Sequence, residues 1–214
     1  MIRMKCFAVA LLLAATLTAA QTAASPAATG STTLTQAERD KALASLQSTH
    51  DKFLQSISGL SEKQWKFKPA PDRWSVAEVA EHITVAESGI FGLVQQKIMQ
   101  SPATPDKRTS VAGKDEIILT RMTDRSVKAK APEFLQPTGR FANQDDLGKT
   151  FEQARGNTMN YVRTTTDDLR DHFFDHPVFG TMDAYQWILL ISAHCARHTE
   201  QIEEVKADPN FPKN

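Results

Sequence analysis

Hydrophobic residues recur at intervals of three and four residues along four stretches of the chain, and this spacing predicts four amphipathic helices. The predicted helices begin at Thr35, at Ser75, near Gln144 and near Asp183. The first two starts have the spacing of a capping box, Thr35 with Glu38 and Ser75 with Glu78. No stretch between them alternates convincingly between apolar and polar residues, as a half-buried strand would. Four helices that each carry one apolar stripe predict an all-α protein built as a four-helix bundle.

The segment 101–142 is predicted to be a long loop between the second and third helices, with at most one short helix. It holds an apolar patch at 117–119 and four prolines, which interrupt helices: Pro102, Pro105, Pro132 and Pro137. Long loops in compact domains are often functional or mobile. A shorter connector, 167–181, precedes the fourth helix and contains Pro177 and Gly180.

The N-terminus is typical of a secretory signal peptide. Arg3 and Lys5 precede an apolar run from Cys6 to Leu17, and small residues follow. The run is short for a membrane span, although a retained anchor is the alternative. We expect residues 1–20 to be a signal peptide, 21–33 a flexible tether and 34–208 the folded domain. The protein is then exported, periplasmic or secreted, and without a membrane segment after cleavage.

The balance of charges and the cysteine content give information about nucleic-acid binding and about disulfide bonds. Acidic and basic residues balance at 25 each, so the net charge gives no indication of a nucleic-acid surface. Cys6 lies in the predicted signal peptide, and Cys195 would then be the only cysteine of the mature chain. We expect no internal disulfide, and we expect Cys195 to be a small core residue.

Two histidines, His194 and His198, lie four residues apart on the fourth predicted helix. Four residues turn an α-helix by ~400°, so both side chains leave the same face. That face carries Ile191 and Ile202 and should point into the bundle, where a buried imidazole needs a partner. A shared cation is one explanation, and two core histidines with ordinary hydrogen bonds are the other.

Further histidines lie on other segments. His82 lies on the second helix, at the edge of its apolar stripe, and is ambiguous by itself. His50 faces inward on the first helix and is best explained as a hydrogen-bonded core residue. His172 and His176 repeat the four-residue spacing, but Pro177 follows directly, so we interpret them as connector residues that could border a site.

Three short motifs carry a family resemblance. Residues 73–83 (RWSVAEVAEHI), 175–182 (DHPVFGTM) and 194–202 (HCARHTEQI) resemble motifs of the DinB-like (YfiT-like) metalloenzyme superfamily, in the same order. The resemblance implies a four-helix bundle with a metal site formed by His82, His194 and His198, and it implies zinc or nickel as the metal. Some relatives act with a low-molecular-weight thiol, and predicted export sets this chain apart from them.

Two functions are compatible with such a site. The first is a divalent-metal-dependent hydrolase or transferase, in which three neutral imidazoles leave one coordination position open for a small-molecule substrate. The second is a non-catalytic exported protein that binds metal, or a ligand through metal. Glu78 and Gln201 are weak catalytic candidates, because Glu78 also completes a capping box with Ser75 and Gln201 could simply line the groove. A homodimer is compatible with either function.

Export makes a direct prediction about the mature N-terminus. Cleavage after a small residue, Ala20 or Ala24, should leave a chain that begins at Gln21 or Ser25. N-terminal sequencing of protein recovered from outside the cytoplasm would detect either start. An intact Met1 in a membrane fraction would contradict the prediction.

Overall fold

The computed structural model describes residues 33–126 and 130–213, and within them it forms a mostly helical bundle. Four long helices make the bundle: α1 (Gln36–Ile57), α3 (Val76–Leu93), α5 (Gln144–Thr164) and α6 (Ala184–Lys206). The short helices α2 (Glu62–Trp65) and α4 (Lys114–Arg121) lie in the connecting segments. The all-α four-helix bundle is therefore confirmed. The predicted signal peptide and almost all of the predicted tether lie outside the described residues.

The helix starts are set by side chains that satisfy free backbone N–H groups. Thr35 with Glu38, and Ser75 with Glu78, form the two predicted capping boxes at the starts of α1 and α3. Asp183 with Gln186 forms a capping box at the start of α6, and Asn143 caps α5. The predicted starts of the four long helices are confirmed.

The segment predicted as a long loop carries one α-helix and two shorter helical turns. The helix is α4, and the 3₁₀ turns are Pro105–Val111 and Glu133–Leu135. Ile118, from the apolar patch, is buried, and α4 packs against α6. Before this segment, α3 continues as a π-helical turn, Val94–Ile98.

A short antiparallel hairpin lies in the second connector, where the sequence predicted no strand. Strand β1 (Phe173–His176) pairs with β2 (Gly180–Asp183), with Phe174 opposite Met182. Gly180 opens β2 with a φ of 65°, which favours glycine. Each strand is four residues long, too short for alternation to be recognisable.

Helix neighbours decide which side chains can meet. Helix α6 packs against α1 and α3, and α5 packs against the same two helices on the other side. The faces of α3 and α6 therefore meet directly.

Among the described residues, no helix is long and apolar enough to cross a membrane.

A buried ion pair lies within the bundle core. Arg155 on α5 donates to both carboxylate oxygens of Glu87 on α3, at 2.6 and 2.8 Å, and both side chains are essentially inaccessible to solvent. Arg155 also donates to the carbonyl of Leu46 and to the hydroxyl of Thr49 on α1. The pair therefore links three helices through satisfied polar contacts.

Removing one member of this pair should be far more destabilising than removing both. Glu87→Gln leaves the buried charge of Arg155 without a counterion and should cost about 3–5 kcal/mol. The double variant Glu87→Leu with Arg155→Met should recover much of that loss. Urea unfolding of the three proteins measures the difference, and equal stabilities of wild type and Glu87→Gln would contradict the ion-pair account.

Candidate metal centre

Three histidine side chains converge between α3 and α6. His82 lies on α3, and His194 and His198 lie one turn apart on α6. The Nε2 atom of His82 lies 3.2 Å from the Nε2 atom of His194 and 3.2 Å from that of His198. In residues 33–126 and 130–213, this is the one cluster of three or more His, Cys, Asp or Glu residues with ligand atoms close enough for a metal ion.

The proton position on His82 follows from its other ring nitrogen. His82 Nδ1 lies 2.8 Å from the carbonyl oxygen of Leu135. A carbonyl oxygen can only accept, so Nδ1 carries the proton and donates it. In the neutral imidazole, Nε2 is then an unprotonated lone pair that points at the other two histidines.

His198 is held in the same protonation state by Gln201. His198 Nδ1 lies 2.8 Å from Gln201 Oε1, and the guanidinium of Arg125 lies 3.4 Å from the same oxygen. Because an arginine only donates, this atom is the amide oxygen, and His198 Nδ1 is a donor. His198 Nε2 is therefore a lone pair as well. Two lone pairs face each other at 3.2 Å, an arrangement that repels unless a cation lies between them.

The spacing of the nitrogens fits a transition-metal ion. Two imidazole nitrogens that lie ~2.1 Å from one ion and subtend ~100° are ~3.2 Å apart, close to the observed spacing. All three ligand atoms lie within 4.8 Å of one another. Three histidines on one side of an ion leave a coordination position open. His82 is buried, and His194 and His198 are half-buried.

Burial keeps all three imidazoles in the neutral form that binds metal. Burial is the largest cause that lowers the pKa of His82 and of His194, and the neighbouring histidines lower the pKa of His194 further. Burial, and repulsion between the protonated forms of His82 and His198, lower the pKa of His198 to about 3. Neutral imidazole is the ligand form, so protons compete weakly for this site.

Glu78, Trp74 and Cys195 are not members of the histidine cluster. Glu78 completes the capping box with Ser75 and pairs with Lys68 at 2.9 Å, and it is not the hydrogen-bond partner of His82. The indole of Trp74 lies 5.0 Å from the ring of His82. Cys195 is buried in the core, and burial raises the pKa of its thiol to about 11.

The remaining histidines lie in other environments. His176 Nδ1 accepts from the backbone N–H groups of Val178 and Phe179, and so stabilises the hairpin turn. His172 Nε2 lies 3.0 Å from Asp168. His50 hydrogen-bonds Asp51 and stacks on Phe151, and it is half-buried.

The sequence did not reveal the carbonyl that orients His82. Leu135 lies in a 3₁₀ turn of the segment 101–142, and any residue type can supply a backbone carbonyl. The one available indication was general, since a metal-ligating histidine usually donates its second ring N–H to an oxygen.

The fold and the cluster together define a class: a four-helix bundle with three convergent histidines between two adjacent helices. The sequence model of the DinB superfamily matches residues 45–202. The chain therefore belongs to the DinB superfamily.

Two relatives from Bacillus subtilis are consistent with this assignment. The uncharacterised protein YuaE is 25% identical over 150 residues, which cover 70% of this chain and 88% of YuaE. The structure resembles that of YfiT with a TM-score of 0.55 and 14% identity, over 84% of this chain and 91% of YfiT. YfiT is described as a probable metal-dependent hydrolase with an unusual four-helix bundle topology.

The lowered pKa values predict that the metal-free protein loses stability in acid. Below pH ~6.5, the unfolded chain takes up protons on these histidines that the folded protein does not. The free energy of unfolding should therefore decrease as the pH falls. The contribution of His198 to this decrease should continue down to a pH of about 3, where the folded protein also takes up a proton on this residue.

The variant His198→Gln isolates one histidine of the three. Its stability should depend less steeply on pH between 6 and 4, by at most about 1.4 kcal/mol per pH unit. Urea unfolding in the presence of a chelator measures both proteins. Identical pH slopes would show that His198 is protonated equally in the folded and unfolded states.

Proposed function

We propose that His82, His194 and His198 bind one divalent metal ion, zinc or nickel, and that the protein uses it as a metal-dependent hydrolase. The observation that carries the proposal is the pair of unprotonated Nε2 atoms, on His82 and His198, that face each other at 3.2 Å. Imidazole ligands suit zinc, nickel and other transition metals and disfavour calcium and magnesium.

In this proposal, residues of the chain bind the metal ion and leave access to it for a substrate. When bound, such an ion supplies a Lewis acid that polarises a carbonyl or phosphoryl oxygen of a substrate. His82 and His198 keep their lone pairs available because Leu135 and Gln201 hold the protons on Nδ1. His194 and His198 are half-buried residues, so a small-molecule substrate would reach the ion beside them.

Non-catalytic metal binding is the second candidate, and one observation favours it. Glu78 and Gln201, the two weak catalytic candidates, already have hydrogen-bond partners within the protein. Glu78 accepts from the Ser75 backbone N–H and pairs with Lys68, and Gln201 Oε1 accepts from His198 and Arg125.

A transferase reaction needs a second substrate, for which the described residues offer no specific indication. Export and a homodimer remain proposals.

The site proposal predicts which histidines matter for metal binding. His82→Ala, His194→Ala or His198→Ala should each reduce affinity for zinc or nickel steeply, because two ligands hold an ion far less well than three. His172→Ala and His176→Ala are matched controls, since their rings make contacts outside the cluster and metal content should be retained. Elemental analysis of protein purified without a metal-binding tag measures the content.

Stoichiometric metal in the His194→Ala variant would contradict the proposed site. Metal binding to the folded state should also raise the melting temperature of the wild type, and chelation should lower it. Equal melting temperatures with and without metal would lead to the same conclusion.

Hydrolysis and simple binding are distinguished by turnover. Ester, amide and phosphoester substrates should be tested with wild type and with His198→Ala, which is the matched inactive protein. Turnover that a chelator abolishes, that added zinc or nickel restores and that His198→Ala lacks would support the hydrolase. Stoichiometric metal without turnover of any of these bond types would favour the non-catalytic function.

A further inference from the structure

The carboxylate of Glu81, next to His82 on α3, is buried beneath the segment 133–140, which we name the Leu135 loop. Glu81 is only 5% exposed. Its Oε1 accepts from the backbone N–H of Thr138 at 2.8 Å, and its Oε2 accepts from that of Gly139 at 2.9 Å. The N–H of Arg140 also points at Oε1, at 3.4 Å. One side chain therefore satisfies a run of consecutive backbone donors.

The shape of the Leu135 loop is suited to holding a carboxylate. Gly139 has a φ of 76°, a left-handed conformation that turns successive N–H groups toward one point and forms an anion-binding nest. The guanidinium of Arg140 closes the loop on itself, since it donates to the carbonyls of Phe134 and Gln136. The same guanidinium lies 3.7 Å from Glu81.

The same loop also holds the imidazole of His82. The carbonyl of Leu135 accepts the Nδ1 proton of His82 at 2.8 Å. Two consecutive residues of α3 therefore bind one loop, Glu81 through its backbone N–H groups and His82 through a backbone carbonyl. If the loop moves away from α3, His82 loses the acceptor that keeps its Nε2 unprotonated.

We propose that Glu81 is a positioning residue for metal binding, which acts through the Leu135 loop on His82. This inference rests on the proposed metal site. Glu81 does not touch the three Nε2 atoms; it keeps the Leu135 carbonyl in place, and the carbonyl fixes the orientation and protonation of His82. Partners of this kind around metal-ligating histidines typically change metal affinity by 10- to 100-fold.

The variant Glu81→Gln tests the proposal with little change of shape. The amide has one oxygen, and its NH₂ group would face a buried backbone N–H as a second donor. Gly139→Ala is an independent variant that leaves Glu81 intact. A Cβ at Gly139 has nothing within 4 Å, so this variant strains the backbone of the loop alone and should not impair folding.

Glu38→Gln is the matched control for the loss of a carboxylate that accepts backbone and arginine donors. Glu38 accepts from the Thr35 N–H and from Arg170 at the start of α1. Its backbone carbonyl contacts Tyr185 in the first turn of α6, whereas His194 lies in the middle of that helix. This variant should lower the melting temperature without changing metal affinity.

Two measurements on the full folded domain separate positioning from general stability. Zinc affinity is measured by competition with a chelating dye, using zinc chloride as the probe. Hydrogen exchange of residues 133–140 is measured on metal-free protein. Glu81→Gln and Gly139→Ala should each accelerate exchange in the Leu135 loop and weaken zinc binding by ~10- to 100-fold. Glu38→Gln should do neither.

Two results would overturn the inference in distinguishable ways. If the wild type binds zinc but loosening the loop leaves the affinity unchanged, Glu81 has no positioning role and the proposed function stands. If the wild type binds no zinc, the proposed function fails, and the positioning role fails with it. Should Glu81→Gln not fold, Gly139→Ala decides between these outcomes.

Discussion

Repulsion between two imidazole lone pairs is the constraint around which the site is organised. His82 and His198 each have the Nδ1 proton engaged by an oxygen, from Leu135 and Gln201, and their Nε2 atoms face each other at 3.2 Å. Nothing within either imidazole can relieve this contact, because a neutral ring carries one proton. A cation bound by both nitrogens, and by His194, would turn the repulsive arrangement into a stabilising one, and burial keeps the rings in the neutral form that such a cation requires.

The bundle supplies the rigidity that such an arrangement needs. Helices α3 and α6 pack face to face, and α3 is also anchored to α5 and α1 through Glu87 and Arg155. At the starts of α1 and α6, Arg170 forms ion pairs with three carboxylates: Glu38 of α1, Asp115 of α4 and Asp183, the residue that caps α6. The long connector completes the site from outside, because its Leu135 carbonyl reaches His82. The scaffold and the Leu135 contact to His82 are therefore held by different contacts, and we expect that loosening this contact leaves the bundle folded.

Much of this structure could be predicted from the sequence, and the part that could not has a physical reason. The capping boxes at Thr35 and Ser75, and the periodic apolar residues, are local signals that predicted the four long helices. The four-residue spacing indicated His194 and His198 as a pair, and the resemblance to known motifs added His82 to them. The contact between Glu81 and the Leu135 loop, and the hairpin before α6, depend on backbone conformation and on residues distant in sequence, which leave no local pattern.

X-ray absorption spectroscopy of the zinc-loaded protein tests the central claim most directly, because it reports the atoms around the metal. The account predicts three imidazole nitrogens at ~2.0–2.1 Å, with multiple scattering from three rings, and at least one further oxygen ligand. A spectrum with two or fewer imidazoles would contradict the three-histidine site. A sulfur ligand at ~2.3 Å would contradict it as well, because Cys195 is the one cysteine among the described residues and lies buried in the core.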